Sequence, residues 1–115
     1  VQLRESGIIL FCEHYEQALK FYTEKIGLQI RGQKSDLAVL DFGGSYLMIE
    51  DNGIASASPK TREQNPIVIR FNVDDFENTI LEIKNRGVEV DVHSFNWGKI
   101  GVIIDPEGNR IEIKD

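Results

Sequence analysis

Apolar residues along the chain change period twice, in the same order both times. Residues 7–28, GIILFCEHYEQALKFYTEKIGL, open as a short apolar run. Tyr15, Ala18, Leu19, Tyr22 and Ile26 then recur at helical spacing, which predicts an amphipathic helix stopped by Gly27. Residues 67–88, IVIRFNVDDFENTILEIKNRGV, repeat the sequence of events. Here Phe76, Ile80 and Ile83 form the apolar stripe, and Asp74 with Glu77 three residues later reads as a capping box. Gly87 ends this second helix, 60 positions after Gly27.

Three strand candidates follow each helix, near 28–32, 37–42 and 45–50 in the first half and near 88–93, 99–105 and 109–114 in the second. Each last strand is reached through a D-x-x-G turn, in DFGGSYLMIED (41–51) and in DPEGNRIEIKD (105–115). Residues 51–66, DNGIASASPKTREQNP, are polar, carry two prolines and read as a linker. The pattern predicts an α+β domain over 1–115, built from two βαβββ modules at about 7–50 and 67–114.

Period-two alternation sorts the strand side chains onto two faces. Ile67, Ile69, Phe71 and Val73 are assigned to the helix side, leaving Val68, Arg70 and Asn72 opposite. Ile111 and Ile113 likewise leave Arg110, Glu112 and Lys114 on the other face. Tyr46, Met48 and Glu50 share one side of their strand, as do Ile9 and Phe11 of theirs. Trp97, just before Gly98 in a hairpin loop, is placed to close one end. Apolar surface with a few polar groups is the makeup of a small-molecule site. Arg70 and Glu112 are the expected polar pair, bridging each other, meeting a ligand, or both.

Composition narrows the partners. The net charge is −6 with no run of Lys or Arg, which argues against nucleic acid and suits a cationic or neutral small molecule. The one cysteine, Cys12, cannot form an internal disulfide and is expected to be a buried, inert thiol. No apolar run approaches the roughly 18 residues of a membrane span. No signal-peptide pattern opens the chain, so the expected compartment is the cytoplasm. There is no G-x-S-x-G elbow, and Gly43–Gly44 belong to a hairpin, not a phosphate loop.

ALKFYTEKIGL (18–28), NWG (96–98) and DPEGNRIEI (105–113) resemble the glyoxalase / bleomycin-resistance / extradiol-dioxygenase superfamily, also called vicinal oxygen chelate proteins. The resemblance covers nearly the whole chain in order and spacing. It implies curled mixed sheets around an open cleft, helices outside, and a homodimer that covers sheet edges. In the family's enzymes it also implies metal ligands on the first and last strands of each module. Carried over one at a time, those positions fall on Gly7, Met48, Val68 and Glu112, of which Glu112 alone is a hard ligand. The expected function is therefore a metal-free protein that binds a small molecule and sequesters a drug or metabolite. One alternative is a metal-dependent lyase, isomerase or dioxygenase holding Zn, Ni, Mn or Fe through Glu112, Glu50 and His93. Another is a regulatory or structural homodimer without ligand.

Overall fold

A computed structural model describes all residues, 1–115. The chain divides into two compact units, Val1–Ala55 and Ser56–Asp115. The first contains β1 (Gly7–Cys12), α1 (Tyr15–Lys20), a π-helical stretch (Phe21–Ile26), β2 (Ile30–Gln33), β3 (Leu37–Phe42) and β4 (Ser45–Asp51). Its sheet runs β1-β4-β3-β2, with β1 parallel to β4 and the other pairs antiparallel. The second contains β5 (Ile69–Asn72), α2 (Phe76–Asn85), β6 (Asp91–Phe95), β7 (Gly98–Ile104) and β8 (Arg110–Lys114). Its sheet repeats the plan as β5-β8-β7-β6. The doubled βαβββ order and the α+β class read from the sequence are what the chain forms.

In the first unit the strand registers put Cys12, Ala38, Leu40, Leu47 and Ile49 on one face, where all five are fully buried. The expected helix ends where Gly27 adopts φ +96°, but its second half winds as a π-helix. Gly27 N–H bonds Tyr22 O five residues back, and the Thr23 hydroxyl bonds Leu19 O at 2.8 Å. Consecutive Phe21 and Tyr22 are both buried here, packed edge to face at 5.2 Å.

In the second unit Ile69, Ile103, Ile111 and Ile113 are buried on the α2 side, with Ile80 and Ile83 of the helix. Gly101 is where β7 approaches closest, since a Cβ there would lie 2.7 Å from Ile80 Cδ1 and 2.8 Å from Val90 Cγ1. The helix cap is Asp75, not Asp74: Asp75 Oδ1 accepts the Asn78 N–H at 3.1 Å. Glu77 does not close a capping box, because its carboxylate takes the Lys99 ammonium at 2.8 Å. At the other end Gly87 N–H reaches Lys84 O, and Val88 N–H reaches Ile83 O. This Schellman arrangement ties Val88 to the helix, so β6 starts at Asp91 and not near residue 88. Ile67 lies before β5 and is 57% exposed, not in the core.

Residues 51–66 are not a free linker. Asn52 and Gly53 both donate to Cys12 O at 3.1 Å, and Ala55 N–H bonds the Glu13 carboxylate at 2.9 Å. Ser56 N–H bonds Glu107 O at 3.0 Å, Lys60 N–H bonds Gly108 O at 2.8 Å, and Asn65 bonds Asn109 at 2.9 Å. Polar composition resembles a loop, but backbone donors seek partners wherever a chain segment packs. Ser56 and Ser58 thus lie against the Asp105–Gly108 turn, where Asp105, Glu107 and the following Asn109 are buried. Asp105 Oδ1 accepts from the Glu107 and Asn109 amides at 2.9 and 2.8 Å, which fixes the approach to β8. No helix is long and apolar enough to cross a membrane.

Candidate ligand-binding face of the second unit

The face of the second sheet away from α2 can be read directly from the strand registers. On β5 Arg70 stands opposite Glu112 and Asn72 opposite Lys114 of β8, while Val68 lies just before the strand and outside this register. On β7, Ile104 stands beside Arg110, Val102 beside Glu112 and Ile100 beside Lys114. His93 of the edge strand β6 flanks Ile100, and Phe95 follows on the same side.

Glu112 sits at the middle of this face with its side chain only 7% exposed. Its Oε1 accepts Nε and Nη2 of Arg70 at 3.0 and 2.8 Å. Its Oε2 accepts Nε and Nη2 of Arg110 at 3.0 and 2.8 Å. Burial pushes the Glu112 carboxyl up, but the hydrogen bonds from Arg70 and Arg110 outweigh it and hold the group below the ordinary glutamate value. The expected Arg70–Glu112 pair is present. The second clamp, Arg110, had a signal of its own: it stands two residues before Glu112, hence on the same strand face.

An aromatic row borders the triad. Phe95 and Trp97 stack at 4.8 Å with 6° between their planes, and His93 stacks more loosely on Phe95 at 6.3 Å. Lys114 Nζ lies 5.2 Å from the Trp97 ring centroid and 2.8 Å from Asp115 Oδ1. Trp97 occupies the β6–β7 turn, as the sequence suggested, and is 56% exposed.

The first unit gathers its own candidates on the sheet face away from the buried one. Ile9 and Phe11 are 47% and 46% exposed there, beside Met48 and Glu50 of β4. The β1–β4 ladder runs without a shift through Glu50, so no bulge re-aims that carboxylate. Tyr46 folds its ring over Gly7: a Cβ at Gly7 would lie 2.3 Å from the ring. On the helix side, Tyr15 is a feature that periodicity marked only as core. Its hydroxyl is buried without a hydrogen bond of ordinary geometry. Burial raises its phenol, the nearby Gln33 side chain opposes that, and Asp36 and Glu16 add to it.

The residues present do not fit a divalent ion. Gly7 has no donor and is covered by Tyr46, Val68 cannot ligate, and the Met48 thioether is a soft donor. Both oxygens of Glu112 already meet guanidinium groups, whose charge repels a cation. His93 is engaged with Asp91 at 2.9 Å. Within the second unit no three His, Cys, Asp or Glu side chains come together in a group that could hold a metal.

Several solved structures share this fold. A glyoxalase/bleomycin resistance protein/dioxygenase from Alicyclobacillus acidocaldarius superposes with a TM-score of 0.77 at 22% identity, covering 96% of this chain and 89% of that one. A lactoylglutathione lyase from Agrobacterium tumefaciens gives 0.73 at 20% identity, covering 94% and 90%. The virulence protein STM3117 from Salmonella typhimurium gives 0.68 at 20% identity, covering 99% and 97%. At these identities the likeness concerns the fold. No curated protein matches the chain significantly. The family description Glyoxalase/Bleomycin resistance protein/Dioxygenase superfamily matches residues 6–113, nearly the full length, and the chain therefore belongs to that superfamily.

Proposed function

We propose that this protein is a metal-free member of the superfamily that binds a small molecule and sequesters it, a drug or a metabolite. The observation that carries the reading is the state of Glu112. The single hard ligand among the family's metal positions is held by Arg70 and Arg110, one on each oxygen. A carboxylate so engaged would have to release two charge-assisted contacts before it could coordinate an ion. Support also comes from the surface beside it, where Val102, Ile104 and the Phe95–Trp97 stack offer apolar area next to fixed polar groups. A homodimer is part of this reading, supported by exposed Val92, Phe95 and Trp97 along the edge strand β6 and the turn after it.

Calorimetric titration of chelator-stripped protein with Zn, Ni, Mn and Fe(II), run beside Glu112→Ala, tests the metal-free part. The expected result is no stoichiometric binding that depends on Glu112. Micromolar, one-to-one binding abolished by Glu112→Ala would transfer the protein to the metal-dependent lyases, isomerases and dioxygenases. Light scattering over a concentration series tests the dimer, and a monomer mass throughout would remove it.

A further inference from the structure

We infer that the ligand of this face is a small organic oxyanion, a carboxylate or phosphate on an apolar body, gripped by the outward N–H groups of Arg70 and Arg110. The inference rests on the small-molecule reading above and gives it a chemistry.

A guanidinium has five N–H donors. Arg70 and Arg110 each use only Nε and Nη2 on Glu112. Nη1 of both takes no protein partner, and the two side chains remain 44% and 32% exposed. Two cations share one carboxylate, so the triad keeps one net positive charge at a point where the whole chain carries −6. That overall charge does not decide the matter. At physiological salt it is screened over about 8 Å, whereas an oxyanion would meet the guanidinium groups in contact.

Glu112 acts here as a positioning residue. By holding the inner edge of each fork it fixes the outer edge, so a ligand orders less side chain on binding. A cationic ligand finds no free acceptor at the triad, because both Glu112 oxygens are taken. Ile104, beside Arg110 and 40% exposed, and Val102, beside Glu112, supply the apolar surface for the rest of the ligand.

The test is an NMR titration of the isotope-labelled full chain with four matched probes: benzoate, phenyl phosphate, benzamide and benzylammonium. The expected result is that benzoate or phenyl phosphate shifts the backbone amides of β7 and β8 and the Nε–H signals of Arg70 and Arg110. The tighter of the two names the oxyanion. Benzamide and benzylammonium are expected to bind about tenfold more weakly or worse, since each lacks the charge-assisted contacts. Arg70→Met and Arg110→Met should each weaken the better anion about tenfold. Arg110→Lys, which keeps the charge and loses the fork, should fall between. Well-dispersed spectra establish that the variants fold. If benzamide or benzylammonium shifts the same amides as strongly, or the arginine variants bind the anion unchanged, the oxyanion assignment is overturned while the small-molecule reading stands. If none of the four probes shifts β7 or β8, both fail.

Discussion

At position 112 a nearly buried carboxylate is stabilised by four hydrogen bonds from two arginines that are themselves partly in water. Losing one arginine leaves the other in place, so Arg70→Met or Arg110→Met should each cost about 1–3 kcal/mol in urea unfolding. The double variant should cost more than the sum, because Glu112 is then buried with no partner and must take up a proton or pull the strand open. The pH dependence follows from the lowered carboxyl. Glu112 contributes stability above its ordinary value of 4.5, and this contribution is lost as pH falls through the depressed folded value. The stability gap between the native chain and Glu112→Gln should therefore be constant near neutral pH and close in acid, below pH 4.5. A gap that persisted in acid would mean that Glu112 is not the titrating group.

At the scale of elements, the helix stripes, both stop glycines and all eight strands were legible, because burial of one face imposes a period that composition cannot hide. The errors lie where tertiary contacts redirected a local signal. Asp74 and Glu77 have the spacing of a capping box, but Lys99 from β7 claims Glu77 and the cap moves to Asp75. Val88 looks like a strand residue and is held by the helix end. Alternation puts Arg110 on the strand face of Glu112, yet its grip on that carboxylate depends on which way two long side chains bend, which alternation does not encode. Residues 51–66 span the junction of the two units, as a linker does, but nothing local distinguishes a loose polar segment from one in which many amides are claimed. Two measurements check that segment. The amides of Gly53, Ser56 and Lys60 should exchange with deuterium more slowly than that of Ala57. Gly53→Ala should destabilise strongly, by about 2–3 kcal/mol, because the new Cβ would meet Phe11 O at 2.3 Å and backbone cannot swing aside.

For the whole molecule, an acidic chain suggested a cationic or neutral ligand, while the local grouping of Arg70, Arg110 and Lys114 on one sheet face argues for an anion. Net charge sums over the surface; recognition depends on the few groups within contact. The superfamily's description joins glyoxalases, bleomycin resistance proteins and dioxygenases, so membership leaves the choice to the site. That choice turns on whether Glu112 belongs to its arginines or to a metal. The most direct test records the Nε–H resonances of Arg70 and Arg110 while Mn(II), and separately Zn(II), is added to the native chain. Both resonances are expected to exchange slowly with water and to be unchanged in position and width by one equivalent of either ion. Selective broadening of both by Mn(II), with a matching shift by Zn(II), would place a metal at Glu112 and contradict that expectation.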